Sequence, residues 1–88
     1  MHVTYREIRK GTFDRDVRSA ASGDAIFSGR IQRRVQKVLE NPRHHGYHAG
    51  GRIRCTWVAG VGNWAVLYDI DETNRAVVLL RFVSLDDV

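Results

Sequence analysis

Apolar residues change their spacing along the chain, and each change marks a new element. Residues 2–8 alternate loosely between polar and apolar positions, which predicts a first strand. After the break at Gly11, Thr12 is suited to cap a helix, and Phe13 and Val17 follow at helical spacing. The first part of the chain therefore predicts a strand followed by a helix.

A second helix has the clearest pattern. Its apolar positions recur every three or four residues, which is the spacing of one helix face. They are Phe27, Ile31, Val35 and Val38. Asp24 is suited to cap this helix, and Asn41-Pro42 should end it, because a residue before proline is pushed out of the α region. The opposite face is basic and carries Arg30, Arg33, Arg34 and Lys37.

After a polar, glycine-rich loop over residues 43–51, the period changes to two, which predicts strands. The first strand begins at Arg52 and places Arg52 and Arg54 on one face. The last strand is apolar almost throughout, as in strands buried on both faces. The predicted strands run from Arg52 to a turn at residues 60–63, over residues 64–70, and, after a turn at residues 71–74, over residues 75–83.

The order of elements predicts an α+β fold of two layers, β-α-α-β-β-β. Two N-terminal helices would pack on one face of a mainly antiparallel four-stranded sheet. The other face would be free and would carry Arg52 and Arg54. The 88 residues contain no repeat and no linker, so we expect a single domain over residues 1–88.

The composition indicates which class of partner the protein is suited to bind. The formal net charge is +4, and of the 14 basic residues only Lys10 and Lys37 are lysines. Arginine matches phosphates with a planar fork, so the bias suits RNA or another polyanion; the codon usage of a GC-rich genome is the alternative explanation. One cysteine, Cys55, allows no internal disulfide, and no apolar run is long enough to span a bilayer. We therefore expect a cytoplasmic protein with no membrane partner.

Several short motifs occur in a recognisable order. The second helix ends in Leu39-Glu40-Asn41-Pro42, and Arg52-Ile53-Arg54 follows the glycine-rich loop. A hairpin then leads to residues 64–71 and to the strand Val77–Arg81. This order resembles the RelE/ParE toxin superfamily over the whole chain, and residues 63–68 also resemble its YafQ-like branch. The resemblance implies either cleavage of mRNA in the ribosomal A site or poisoning of DNA gyrase, with neutralisation by an antitoxin.

The resemblance also implies roles for particular residues. Arg52 and Arg54 match the two cations with which RelE-like toxins hold the scissile phosphate. The next expected arginine falls at Ala65, and Arg81 is the cation nearest to the expected C-terminal group. His48 is nearest in position to a loop histidine of the YafQ-like branch, and a histidine can transfer protons near neutral pH.

Other readings of these residues stay open. The alternative for Arg52 and Arg54 is that they are solvated strand charges. Arg81, expected in a buried strand, needs a partner there, and Asp69 or Asp86 would form a structural salt bridge with it.

The basic helix face is read either as a solvated surface or as a contact to rRNA and phosphate. In the second reading His44 and His45 join Arg30, Arg33, Arg34 and Lys37. The His-His-x-x-His spacing of the loop has no fourth ligand, so we expect no metal and no cofactor.

The leading hypothesis is a type II toxin that acts as a ribosome-dependent mRNA endonuclease. Its partners would be a cognate antitoxin, in a hetero-oligomer, together with the ribosome and mRNA. The alternative is a non-catalytic ParE-like gyrase inhibitor, or a decayed toxin that only binds its antitoxin. Ala65 favours the alternative, whereas Arg52, Arg54 and the loop histidines favour the endonuclease.

Overall fold

The computed structural model describes residues 4–49 and 56–87. Arg52, Arg54 and Cys55 lie outside the described residues, so the predictions that concern them stay predictions. The described elements are β1 (Arg6–Arg9), α1 (Gly11–Ala20), α2 (Ala25–Glu40), β2 (Tyr47–Ala49), β3 (Thr56–Val61), β4 (Trp64–Asp71), β5 (Ala76–Ser84) and a short 3₁₀ helix (Leu85–Asp87).

Both helices form where the sequence predicts them. The Asp24 carboxylate accepts a hydrogen bond of 3.0 Å from the Phe27 N–H, which confirms the predicted cap of α2. The predicted cap of α1 was wrong, because Lys10 occupies the N-cap and makes no side-chain cap bond. Thr12 instead donates from its hydroxyl to the Leu80 carbonyl at 2.8 Å, which ties α1 to β5. Neither helix among the described residues is long and apolar enough to cross a membrane.

The sheet has the strand order β1-β5-β4-β3-β2. β1 pairs with β5 in parallel, and the other neighbours are antiparallel. The predicted α+β fold with two helices on a mainly antiparallel sheet is confirmed, but the described part of the sheet has five strands rather than four. The additional strand is β2, which lies within the predicted glycine-rich loop.

The core lies between the helices and one face of the sheet. The helices contribute Phe13, Ile31, Val35, Val38 and Leu39, and the sheet contributes Ala59, Val61, Val66, Tyr68, Val77, Leu79 and Phe82. Tyr68 is fully buried, and its hydroxyl donates to the Pro42 carbonyl at 2.6 Å. This bond holds the chain that leaves α2 against the sheet.

A β-bulge changes the side on which β5 places its residues. Leu67 pairs with Arg81, but the next residue of β4, Tyr68, pairs with Leu79, so Leu80 is the extra residue. Phe82 thereby returns to the helix-covered face, opposite Val66. Arg81 instead shares a row with Leu67 on the opposite face.

Candidate nucleic-acid interface

The exposed side of α2 forms a basic groove together with the turn between β3 and β4. The buried stripe of α2 packs on the sheet, which leaves its cations on the outer side. The groove has a volume of about 330 Å³. It is lined by Arg30, Arg33, Arg34, Lys37, Gly60, Val61 and Gly62. The structure therefore brings together the four cations that the sequence predicts on one helix face.

The cations of the basic groove carry free charge. In the part of the chain that the structure describes, none of the four forms an ion pair, whereas Arg9, Arg43 and Arg81 each pair with a carboxylate. The Nε atom of Arg34 is buried and has no hydrogen-bond partner among the described residues.

His44 and His45 follow the end of α2, close to the cations of the basic groove. Both donate from their backbone N–H to the Asn41 carbonyl at 3.1 Å, and their rings lie 4.9 Å apart. Partial burial lowers the pKa of His45, and the nearby charges of His44, Arg34 and Lys37 lower it further. The lowered pKa favours the neutral form of His45, in which one ring nitrogen donates a hydrogen bond and the other accepts one.

His48 lies on the helix-covered side of the sheet, at its edge. It is exposed, it pairs with Trp57 across β2 and β3, and the two rings are 5.4 Å apart. Trp57 in turn stacks on Tyr68 at 6.4 Å. The basic groove lies on this same side, because α2 forms one of its walls.

Arg81 forms an ion pair with α1 at the edge of β5. Its Nε donates to an Asp16 carboxylate oxygen at 2.6 Å, and the same oxygen accepts the Phe82 N–H at 3.1 Å. Burial tends to raise the pKa of Asp16, but these two hydrogen bonds, together with the charges of Arg81 and Arg15, outweigh burial and lower it overall. The same ion pair raises the pKa of Arg81.

The predicted surroundings of Arg81 were wrong in two respects. The Arg81 side chain is 54% exposed rather than buried. Its partner is Asp16 rather than Asp69 or Asp86, and the Asp86 carboxylate accepts a hydrogen bond of 2.7 Å from the Asn63 amide instead. Arg81 thus forms the structural salt bridge that the sequence analysis gave as an alternative to catalysis. Its partner is a residue of α1, which the pattern of β5 does not indicate.

The structure does not bring Arg81 and His48 together. β4 and β3 lie between their strands, so three strand spacings of about 4.8 Å, or roughly 14 Å, separate them. Arg81 also belongs to the row of the sheet that faces away from the helices.

Tyr47 is a candidate that sequence reasoning missed. It pairs with Val58, which pairs with Leu67, which pairs with Arg81, so these residues form one row on the face opposite the helices. Tyr47 is 61% exposed. An exposed aromatic ring offers a surface on which a base can stack. The sequence signal that could have indicated Tyr47 is its aromatic ring within a loop of glycines and histidines.

Comparison with solved structures identifies the fold. The toxin-antitoxin complex RelBE2 from Mycobacterium tuberculosis matches with a TM-score of 0.79 and 23% identity, over 93% of this chain and 99% of that chain. The fold is that of RelE/ParE toxins. A YoeB/ParE toxin from Agrobacterium tumefaciens matches with a TM-score of 0.76 and 10% identity, over 90% of this chain and 96% of that chain.

A third RelE-like match is the DinJ-YafQ toxin-antitoxin complex of E. coli. Its TM-score is 0.72 at 12% identity, over 98% of each chain. No protein-family model and no curated protein sequence matches the chain. The relationship is therefore one of RelE-like architecture rather than of close sequence.

Ala65 occupies the position at which the family resemblance implies an arginine. Ala65 is buried, and it lies between Gly60 of β3 and Val83 of β5. Position 65 therefore has a small, enclosed side chain in place of a long cationic one.

The three loop histidines of this RelE-like chain do not converge. The rings of His44 and His45 contact each other, whereas that of His48 contacts Trp57. Among residues 4–49 and 56–87, no group of three or more His, Cys, Asp or Glu residues is placed to hold a metal ion.

Proposed function

We propose that this protein is the toxin of a type II toxin-antitoxin pair and acts on RNA at the translating ribosome, as an mRNA endonuclease. The observation that carries the proposal is the basic groove, whose cations have no ion-pair partner among the described residues of a RelE-like fold. Several of the matching structures are toxin-antitoxin complexes, which supports a cognate antitoxin as a further partner.

The basic groove suits a nucleic-acid backbone rather than a small acid. Arg30 and Lys37 are seven residues apart, so the cations extend over about 10 Å of helix. A polyanion that contacts them releases counterions, which supplies affinity without any base sequence. rRNA and mRNA in the ribosome offer such a backbone.

The proposed reaction is attack of an RNA 2′-hydroxyl on the adjacent phosphorus. The new O–P bond forms as the bond to the 5′-oxygen of the next nucleotide breaks, which leaves a 2′,3′-cyclic phosphate and a 5′-hydroxyl. Arg52 and Arg54 are proposed to stabilise the charge on the phosphate oxygens. His48, exposed at the sheet edge, is proposed to move the proton from the 2′-oxygen or to the leaving oxygen.

Induced expression in a bacterial host, followed by primer extension on a translated reporter mRNA, tests the proposal. We expect cleavage within the reading frame that disappears when translation is blocked. We expect the double variant R33Q/K37Q to lose most of this cleavage, whereas R15Q/R18Q, which removes two exposed cations of α1, retains it. Intact mRNA under growth arrest would overturn the endonuclease.

A second candidate is the non-catalytic ParE-like inhibitor of DNA gyrase. Two observations favour it: the ion pair of Arg81 with Asp16, and the buried alanine at position 65. Growth arrest with intact mRNA and damaged DNA would support this candidate, and H48A would then leave the arrest unchanged.

A further inference from the structure

A second cavity lies between the last turns of α1 and the end of β5. Its volume is about 480 Å³, and it shares no lining residue with the basic groove. Cavities of roughly 300–1,000 Å³ are typical of small-molecule sites. The lining residues that bear on its chemistry are Asp16, Ser19, Trp64, Arg81, Phe82 and Ser84. This set combines aromatic rings, hydroxyl groups and a cation, which the proposed function does not use together.

Trp64 and Phe82 form an aromatic wall of this cavity. Their rings are 5.2 Å apart and lie within 5° of parallel. Phe82 is only 2% exposed, whereas Trp64 is partly exposed, so Trp64 is the outer member of the stack. A planar ring in the cavity can therefore pack on the indole and continue the stack outward.

Arg81 places a guanidinium at the cavity. Asp16 accepts from its Nε at 2.6 Å and from one terminal nitrogen at 3.4 Å, which holds the group in place. The other terminal nitrogen has no hydrogen-bond partner among the described residues, and the side chain is 54% exposed. Asp16 offsets the charge of Arg81, but Arg15 lies near enough to lower the pKa of Asp16, so the surroundings remain positive. A fixed guanidinium of this kind suits a phosphate.

The end of β5 also offers a peptide group to the cavity. β1 pairs with β5 no further than Leu79, so the edge beyond it has no strand beside it among the described residues. The Phe82 N–H points away from β4, toward Asp16. Peptide groups alternate in direction along a strand, so the N–H of Ser84, two residues on, also points away from β4. Together with the exposed hydroxyl of Ser19, it can form hydrogen bonds with the edge of a planar ring.

We propose that this cavity binds a nucleotide, with its base on Trp64 and its phosphate at Arg81. Trp64 pairs with Ser84, and Arg81 lies three residues before Ser84, so about 10 Å of strand separates the aromatic wall from the Cα of the cation. A ribose separates the ring and the anion of a nucleotide in a similar way. A free nucleotide and an unstacked nucleotide of RNA share this chemistry. The site requires no cleavage of mRNA, so it does not rest on the proposed function.

A titration of the isotope-labelled chain with adenosine 5′-monophosphate tests the site. We expect shift changes at the indole N–H of Trp64 and at the Ser84 amide. Arg81→Gln should weaken binding about tenfold, whereas R33Q/K37Q, which removes cations of the basic groove, should change it less than about twofold. Shift changes confined to α2, or an unchanged affinity in Arg81→Gln, would overturn the proposal.

A matched pair of α1 and turn variants tests the cavity without removing Trp64 or Arg81. Ser19→Glu puts a carboxylate into the cavity from an exposed position of α1, so the fold should tolerate it. Ser22→Glu adds the same charge three residues later, at an exposed position outside the lining. We expect Ser19→Glu to weaken binding of the monophosphate at least about tenfold relative to Ser22→Glu. Equal affinities of the two variants would reject the site.

An oligoadenylate separates the two sources of the nucleotide. In R33Q/K37Q, a shift of the Trp64 indole N–H on addition of the oligonucleotide assigns the cavity to RNA, and a shift with the monophosphate alone assigns it to a free nucleotide. No shift with either probe would overturn the inference. Binding of the monophosphate by a chain that cleaves no mRNA would keep the inference and reject the endonuclease. Translation-dependent cleavage by a chain that binds neither probe at Trp64 would do the opposite.

Discussion

At the scale of single residues, Gly46 is a position where no larger side chain fits. A Cβ there would contact the Tyr68 hydroxyl and lie 2.9 Å from the Val58 carbonyl oxygen. Because Tyr68 also donates to the Pro42 carbonyl, Gly46 and Pro42 both pack on one buried hydroxyl. The start of β2, and with it the position of His48, depends on this close approach.

We expect Gly46→Ala to lower the free energy of unfolding by about 1–3 kcal/mol, because the methyl group would displace buried neighbours. Urea denaturation measures the change. Gly29→Ala is the matched control, since nothing lies within 4 Å of its Cβ and it lies within α2. The control should raise the free energy of unfolding by up to about 1 kcal/mol. An unchanged midpoint for Gly46→Ala would contradict the close packing.

The buried phenol of Tyr68 makes the free energy of unfolding depend on pH in the alkaline range. Burial raises its pKa to about 12, and the charge on Arg34 opposes the rise in part. Because the folded-state pKa lies above the unfolded value of about 10, the neutral phenol stabilises the fold fully below that pH. The contribution is lost as the pH rises toward the folded-state pKa.

We therefore expect the free energy of unfolding to fall more steeply above about pH 10 in the wild-type chain than in Tyr68→Phe. At neutral pH the variant should be less stable by about 1–3 kcal/mol, since the Pro42 carbonyl loses its partner. Urea denaturation followed by tryptophan fluorescence at both pH values measures this. Parallel pH profiles of the two proteins would count against the raised pKa.

At the scale of elements, Asp16 fixes α1 to the second half of β5. β1 pairs only with Ala76 to Leu79 of β5, so the edge beyond Leu79 needs other partners. Asp16 supplies one by accepting from the Phe82 N–H and from Arg81, and Thr12 supplies another at Leu80. A helix thus completes an edge that the parallel strand leaves open.

Asp16→Ala should lower the free energy of unfolding by about 1–3 kcal/mol, because the backbone N–H of Phe82 loses its acceptor. Asp14→Ala is the control, since Asp14 also forms a 2.6 Å ion pair, with Arg9, but accepts no backbone bond from the sheet. Its loss should cost less than about 1 kcal/mol. Equal effects in thermal denaturation would mean that the tether of α1 is only a surface ion pair.

The sequence predicts those elements whose pattern is local. Both ends of α2 were predicted correctly from Asp24, the apolar stripe and Asn41-Pro42, since helix caps and helical period are local properties. β2 was missed because three residues, Tyr47 to Ala49, are too few to show a period. The bulge at Leu80 and the partnership of Arg81 with Asp16 depend on the tertiary pairing of distant segments, so no local pattern encodes them.

The sequence also predicts only part of the candidate site. The basic side of α2 follows from helical period, and the sequence therefore identified its four cations. The opposing wall at Gly60 and Gly62 arises only when the hairpin packs beside the helix, and so does the lack of ion-pair partners within residues 4–49 and 56–87. Tyr47 became a candidate only through its row with Val58, because its face depends on the register of β2.

At the scale of the whole molecule, the uncompensated charge of the basic groove should determine how RNA binding responds to salt. Each phosphate contact contributes about −0.7 to the slope of log K against log salt for single strands. R33Q/K37Q should therefore reduce the magnitude of the slope by about 1.4 relative to the wild-type chain. Filter binding of a single-stranded RNA over a range of salt concentrations measures it, and R15Q/R18Q should keep the original slope. An identical slope in R33Q/K37Q would remove the groove from the RNA contact.

The parallel pairing of β1 with β5 has a consequence for synthesis of the chain. Arg6 pairs with Ala76, so β1 must wait for a strand that is translated 70 positions later. β5 also lies between β1 and β4, and α1 is tied to it, so β1 and α1 have no strand to join until β5 has left the ribosome. Contacts so distant in sequence form late. The nascent chain therefore exposes the apolar stripe of α2 before the sheet that covers this stripe is complete.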